Sequence, residues 1–303
     1  MEWIKPDIAF PFDRYWKPAV IFSGLLILAS ITLLVYKIFV TKDFNWGTDF
    51  AGGTEIQVQF KTSPSLAEVR KTLAESGFEN ASVQTFGEEK EHEILIRVKE
   101  TSEKGRSISG ILLNSLREKF KDLDPVLRRV DEVGPKVGKE LKINGFVSMF
   151  LAMVGILVYV WFRFTPQFAP GAIIALIHDI IITVGVFTIL NHEFELPIVA
   201  ALLTIVGYSV NDTIVVYDRI RDNMKKARRG NLTEVVVKSL NETLSRTLLT
   251  SLTTFLVVFA LFVYSTGSLQ DFASVLMIGI IVGTYSSLFI ATPSFIWLES
   301  RRS

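Results

Sequence analysis

The charges of this chain are sorted, and the sorting limits what it can fold into. Six apolar runs, Ala19–Val40, Phe146–Phe164, Phe168–Leu190, Leu196–Val216, Leu248–Tyr264 and Phe272–Leu298, total 129 residues and contain only Lys37, Arg163, Asp179 and Asp212 as charged groups. The remaining 174 residues carry the other 59 charges. A helix crossing the hydrocarbon core of a bilayer needs about 20 mostly apolar residues, and the chain offers that length repeatedly. The fifth run is short, but reaches full length when extended back through a Ser/Thr-rich stretch to Thr243, taking in Arg246. The expectation is a polytopic α-helical membrane protein with six transmembrane helices and one soluble domain. A net charge of only +1 excludes a basic nucleic-acid binder, and the lack of cysteine excludes disulfide scaffolds and thiol catalysis.

The first run is too long for a cleaved leader and has no small-residue cleavage site before Lys37, so it reads as a retained anchor. Lys and Arg in short connections orient a membrane protein. One set of alternate connections holds fourteen: three in residues 1–18, Arg163, eight in 217–247, and Arg301 and Arg302. The opposite set, 191–195 and 265–271, holds none. Both termini are therefore expected in the cytoplasm, with 1–18 cytoplasmic or interfacial and 19–40 the first span. Residues 41–142 are then exported, and 143–303 form the remaining five spans, with a cytoplasmic loop at 217–242.

Within 41–142 the hydrophobic period changes. Ile56, Val58 and Phe60 alternate with Glu55, Gln57 and Gln59 as in a strand, and Leu66, Val69 and Leu73 recur as in a helix that Gly77 stops. Strands are predicted over Ala81–Phe86 and Glu93–Val98. A second helix carries Ile108, Leu112, Leu116 and Phe120, and a last strand runs from Pro125 through Val133. The order βαββαβ predicts an α+β ferredoxin-like domain in the first loop. Its 17 Lys+Arg and 18 Asp+Glu create no strong field, and a module that makes protein contacts is favoured over a catalytic one.

Motifs for enzymatic chemistry are lacking. The stretch Gly47–Thr54 places Gly53 where a phosphate loop needs lysine; a glycine-permitted connection from the first span into the first strand explains it better. His92, His178 and His192 stand singly, without the spacing of metal ligands. No nucleophile context surrounds any serine. The expectation is a protein that is not an enzyme and holds no cofactor or metal.

Ionisable groups inside the spans carry more information, since a charge at bilayer depth costs at least about 2.5–3.5 kcal/mol. Lys37 and Arg163 can reach the interface from helix ends, but the short side chains of Asp179 and Asp212 cannot. Asp179, Asp212 and Arg246 all fall toward the cytoplasmic half of their spans and could share a polar pocket. Thr250 and Thr254 follow Arg246 at four-residue spacing, flanked by Thr243, Thr247 and Ser251. This pattern points to a proton pathway: Asp212 would bind and release the proton, Arg246 would act on it through its charge, and Asp179 is a weaker member. Asn211, His178, Thr250 and Thr254 are candidate supporting polar residues. For His178 and Asp179, hydrogen bonding between helices is an equally good account. Gly279 and Gly283 suggest a close helix contact, and Asp218, Arg219, Arg221 and Asp222 continue the fourth helix into the cytoplasm as a solvated charged face.

The run Gly207-Tyr208-Ser209-Val210-Asn211-Asp212-Thr213-Ile214-Val215-Val216-Tyr217-Asp218-Arg219-Ile220-Arg221-Asp222-Asn223 resembles the signature of the SecD/SecF family of protein-export membrane proteins, on its SecF side. Gly47–Thr54, Val133–Leu141, Ala175–Asp179 and Asn241–Thr247 match in the same order. The resemblance implies a six-span unit of the resistance-nodulation-division (RND) type in the bacterial cytoplasmic membrane, paired pseudo-symmetrically with SecD and associated with SecYEG, YajC and a translocating preprotein. It implies use of proton-motive force to promote late translocation and release, with a proton as the coupling ion and Na+ as the alternative. On that resemblance Asp212 is the proton-handling carboxylate and Arg246 its basic partner. Two other readings stand beside it: half of a proton-coupled RND-type transporter of small solutes or lipids, and a structural subunit of a channel that couples no protons.

Overall fold

The computed structural model describes residues 9–42, 44–102, 107–163, 167–227 and 231–301. Lys5, Phe164, Arg228, Arg229 and Arg302, which entered the span and charge assignments above, lie outside them. Helix α1 (Phe12–Val35) continues through a π-type turn at Tyr36–Val40, and the four-residue helix α2 (Thr48–Ala51) leads into the α+β domain. That domain comprises β1 (Gly53–Gln59), α3 (Leu66–Glu75), β2 (Ser82–Phe86), β3 (Glu93–Val98), α4 (Ile108–Lys119) and β4 (Val126–Val133). After it come α5 (Pro135–Arg163), α6 (Ala169–Ile189), α7 (Leu196–Lys226), α8 (Leu232–Tyr264), α9 (Ser268–Ser286), a second π-type turn (Ser287–Ala291) and α10 (Thr292–Glu299).

Among the described residues six helices are long and apolar enough to cross a membrane: Phe12–Val40, Pro135–Arg163, Ala169–Ile189, Leu196–Lys226, Leu232–Tyr264 and Ser268–Glu299. They match the six apolar runs, but several begin or end well outside them. Leu232–Thr247 is helical although its hydropathy is broken by polar residues, and α7 runs ten residues past Val216. Charged side chains on one helix face lower a window average without weakening the helix. At Pro135 the fixed φ of proline suits the first helical position, so α5 begins one residue after β4 and only Gly134 separates domain from span. Residues 217–242 are correspondingly helical over most of their length rather than an open loop.

The predicted βαββαβ order is present. The sheet runs β2-β3-β1-β4 with every neighbour antiparallel, the split βαβ arrangement. The alternation along β1 sends Ile56 and Val58 to a core shared with Val69 and Leu73 of α3 and Leu112 and Leu116 of α4. Ser107 caps α4 by accepting from Gly110 N. The other sheet face, carrying Glu55, Leu95 and Arg97, lies against the bundle: Gly87 N donates to Thr266 Oγ1 and Arg97 reaches Glu193 in the α6–α7 connection.

In the bundle, α6, α7 and the α9 span are more than half buried, whereas α1, α5 and α8 are less than a fifth buried. The chain therefore builds its core around α7, and α8 keeps a broad face uncovered.

Candidate functional site

Two carboxylates define the polar interior. Asp179 on α6 and Asp212 on α7 are each no more than 2% exposed, but their surroundings differ. The carboxylate of Asp179 is held from three sides: Oδ1 lies 2.8 Å from His178 Nδ1, and Oδ2 accepts from Ser209 Oγ at 2.5 Å and Ser286 Oγ at 2.8 Å. These bonds tie α6 to α7 and α9. Gly283 makes the approach possible, since a Cβ there would sit 3.2 Å from Ser209 Cβ and 3.7 Å from Asp179 Oδ2. One turn earlier Gly279 receives the side chain of Ile205. The close helix contact expected of these two glycines is thus between α9 and α7.

Asp212 sits one turn beyond Ser209 on α7. Its Oδ2 accepts a single long bond, 3.5 Å, from Ser251 Oγ on α8. Ser251 in turn pairs with Thr284 Oγ1 of α9 at 2.7 Å and accepts from Tyr208 Oη at 3.3 Å. A surface groove of about 440 Å³ between α8 and α9 is lined by Ser251, Thr284 and Tyr285 together with apolar side chains such as Leu252 and Phe255. The groove brings the hydroxyl pair, and through it Asp212, toward the outside of the bundle.

The helical spacing on α8 separates two stripes. Thr243, Thr247 and Ser251 are buried against the bundle, while Arg246 and Thr250 are exposed on the uncovered face. Thr250 and Thr254 each spend their hydroxyl on the carbonyl four residues back. Arg246 makes no ion pair with Asp212 within 4 Å among the described residues; its charge acts on the carboxylate through space. Asn211 is exposed, on the side of α7 away from Asp212's buried pocket. The structure therefore brings together Asp179 with His178, and Asp212 with Ser251, while Asn211 and Thr250 face outward and Thr254 is half-buried, without contact to either carboxylate among the described residues. Ser209, Ser286, Thr284 and Tyr208 complete the network and escaped sequence reasoning, because hydroxyl residues are common in these helices and only their helix-to-helix registers single them out. The spacing Ser209–Asp212 and the step from Gly283 to Ser286 were the available signals.

The second half of the α7 signature has a packing role. Tyr217 is buried and donates to Ala291 O at 2.9 Å, in the π-type turn that follows α9. Such wide turns leave carbonyls free for outside donors. Asp218 pairs with Arg221 on the same helix and with Arg163 at the end of α5, and Arg219 bonds Glu242 of α8. The expected solvated face is thus also a set of contacts between helices. Asn223 extends it to Ser239 and Glu242.

The family model described as "Protein export membrane protein SecD/SecF, C-terminal" matches residues 113–301, and the "SecD/SecF GG Motif" model matches 38–64. The chain belongs to the SecD/SecF family. It is 43% identical over 290 residues to the protein translocase subunit SecF of Vibrio alginolyticus, covering 95% of this chain and 90% of that protein. It is 46% identical over 299 residues to the SecF subunit of Magnetococcus marinus, covering 97% and 94%. A crystal structure of SecDF from Thermus thermophilus superposes with a TM-score of 0.83 at 34% identity over 99% of this chain. The chain spans 40% of the length of that SecDF protein. The six-span α-helical membrane fold with one α+β domain is therefore the SecF-side fold of this family, and the glycine pair at the entry to β1 belongs to its GG motif.

Proposed function

We propose that this chain is the SecF-type half of the auxiliary unit of the Sec protein translocase, acting with SecD to promote late preprotein translocation and release, and that Asp212 carries the coupled proton. The observation that supports the proton role is the contrast between the two carboxylates. Asp179 is saturated by three partners and serves as a pin between helices. Asp212 is equally buried yet has one weak bond, and sits at the inner end of a hydroxyl pair that lines a groove. A carboxylate held at depth without strong donors is poised to take up a proton, and Thr284 and Ser251 supply the oxygens along which it would arrive. Arg246 biases the site by its fixed charge from the uncovered face of α8, which is where the pseudo-symmetric SecD half would close the unit. SecYEG, YajC and the emerging preprotein are the further partners of this reading. The α+β domain would face the exported side of the bacterial cytoplasmic membrane, with both termini in the cytoplasm. In this reading the coupled ion is a proton.

The energy available is modest: about 2.3 kcal/mol for each charge moved through 100 mV. That is enough to bias a conformational equilibrium. The test is Asp212→Asn in membrane vesicles carrying the partner subunits. With a proton gradient imposed, late ATP-independent export of a preprotein is expected to fall to the rate without a gradient. Export at the wild-type rate would sink the proposal.

A further inference from the structure

The α+β domain does not merely sit on the bundle; it is fastened by a buried ion cluster with more acid than base. Arg97 of β3 is 5% exposed. Its guanidinium pairs with Glu55 directly across the sheet on β1, donates to Glu193 Oε2 at 3.1 Å, approaches Glu195 Oε1 at 3.7 Å, and donates to Ser268 Oγ at 3.3 Å. Glu55 belongs to the domain, whereas Glu193, Glu195 and Ser268 belong to the domain-facing end of the bundle. Around the same point Phe194 N donates to Asn45 O, Gly47 N to Phe194 O, and Leu196 N to Asp49 Oδ2. Gly47 is needed for close approach, since a Cβ there would lie 2.2 Å from Glu195 Cγ. One guanidinium thus faces a buried carboxylate, Glu195, and two partly buried ones, Glu193 and Glu55, and Glu195 Oε1 makes no hydrogen bond among the described residues.

We infer that Arg97 and Glu195 form an acid-favoured latch that positions the α+β domain on the bundle, docked when Glu195 holds a proton and loosened when it is ionised. The charge balance carries the argument. With all three carboxylates ionised the cluster is two charges negative around a largely buried centre; a proton on the unbonded Oε1 removes one of them while Oε2 keeps its 2.6 Å bond from Ser268. The groups facing Glu195 are Arg97 from β3, Glu55 from β1, Glu193 from its own connection and Asp49 from α2, with the His192–Asp271 pair adjacent. Burial pushes the Glu195 carboxyl up from 4.5 to about 7, against the pull of Arg97 and Ser268 and with Glu193 and Asp49 adding to the rise. On Arg97 burial works the other way, but the three carboxylates outweigh it and push its pKa further up, so Arg97 does not titrate.

The sign follows from linkage. A group whose docked pKa exceeds its undocked value stabilises docking fully below the undocked value, and that stabilisation is lost as pH rises through the docked one. At tenfold per unit, the docked-to-undocked ratio falls by roughly two orders of magnitude between pH 4.5 and the region above 7. This inference concerns the domain junction, and is read without a translocation assay, so it stands or falls apart from the proton role of Asp212.

The chain has no cysteine, so two spin labels can be placed at Lys71→Cys on α3 and Tyr264→Cys at the domain-facing end of α8, both highly exposed. Pulsed electron resonance on the full chain in lipid nanodiscs should give one distance at pH 5.5 and a growing second, longer population as pH rises to 9. Glu195→Gln, a mimic of the protonated form, should give the single short distance throughout. His192→Gln should respond to pH as the parent does, which separates Glu195 from the neighbouring histidine. Arg97→Ala should populate the longer distance at both pH values. A parent distribution that does not change between pH 5.5 and 9, or a Glu195→Gln variant that retains the parent's pH response, overturns the latch; these two arms decide it even where Arg97→Ala fails to fold.

Discussion

Ser209 Oγ donates to Asp179 Oδ2 at 2.5 Å, fixing α7 against α6 one turn before Asp212. Through this bond the helix that carries Asp212, the proposed proton site, is anchored by the other carboxylate. Ser286 adds α9 to the same anchor. On the proposed function, a pin one turn away would let Asp212 change its charge without the helices losing register.

The pin should be worth measurable stability. Interhelical hydrogen bonds in membrane proteins contribute about 1–2 kcal/mol at most in model systems, and those to a charged acceptor lie at the upper end. Ser209→Ala and Ser286→Ala are each expected to lower stability by about 1–2 kcal/mol, and Asp179→Asn by more. Because both serines share one acceptor oxygen, the double variant should depart from additivity. Reversible unfolding in mixed micelles measures all four. Equal stabilities for parent and Asp179→Asn would remove the pin from the account.

Asp212→Asn should behave in the opposite way. Its carboxylate is desolvated and receives one bond of 3.5 Å, so neutralising it relieves more than it breaks. Stability is expected to be unchanged or raised by about 1 kcal/mol while gradient-driven export is lost. The same unfolding assay, run beside the vesicle assay, checks this split. A large loss of stability would make Asp212 a structural residue.

How much of this was legible in the sequence depends on what each part rests on. Apolar run length located all six spans and hydrophobic periodicity the βαββαβ order, because each is written within a single chain segment. A helix start was missed where polar residues precede the apolar run, as at Leu232, whereas the continuation of α7 past Val216 was expected from its charged residues. Asp179 and Asp212 were conspicuous because charge is rare at depth. What separates them, three strong donors against one weak one, comes from Ser209, Ser251 and Ser286, whose partners are on other helices. The Arg97 cluster was invisible for the same reason. Its members are four ordinary surface-type residues until the sheet docks on the bundle.

His192 and Asp271 supply a pH dependence that is independent of the latch. Their 2.7 Å contact joins the α6–α7 connection to α9, and the hydrogen bond that His192 donates to Asp271 raises the His192 pKa above 6.5 despite partial burial. The pair therefore stabilises the connection fully below pH 6.5, and that contribution is lost as pH rises through the raised value. The ring is nearly half exposed, so the effect is at most about 1 kcal/mol. Amide exchange in residues 191–196, corrected for intrinsic rates, should show greater protection at pH 6 than at pH 8.5. His192→Gln should remove the pair's share of that difference, and what remains should disappear when Glu195→Gln is added.

Gly171 and Tyr217 form a size-matched pair. A Cβ at position 171 would lie 2.3 Å from Tyr217 Oη and 2.9 Å from Ala291 O. Gly171→Ala must therefore displace the phenol from its bond to Ala291, with an overpacking cost of about 1–3 kcal/mol. Tyr217→Phe leaves the Ala291 carbonyl without its donor and should cost about 1–2 kcal/mol. Since the clash is with the phenol oxygen, the double variant should cost less than the two singles added. Additive losses would mean that the alanine methyl is accommodated elsewhere.

The GG motif admits a sharper test, because its two glycines and Gly134 meet different constraints. Gly53 has φ +145° and a Cβ there would lie 2.3 Å from Val98 O, a backbone atom of the paired strand β3. Gly52 has φ +80°, with backbone atoms of Val133 and Pro135 3.1 Å from its Cβ position. Neither neighbour can rotate away, and β1 is paired on both sides, by β3 and β4. Gly53→Ala is expected to cost at least about 2–3 kcal/mol through combined backbone strain and steric overlap, opening the sheet where it joins the membrane helices. Gly134 has a φ open to any residue and nothing within 4 Å of its Cβ position, so Gly134→Ala should be tolerated. Limited proteolysis of the α+β domain in the full chain distinguishes the two: rapid cleavage for Gly53→Ala, the parent pattern for Gly134→Ala. If both variants resist equally, the glycine pair does not close the junction between β1 and β3.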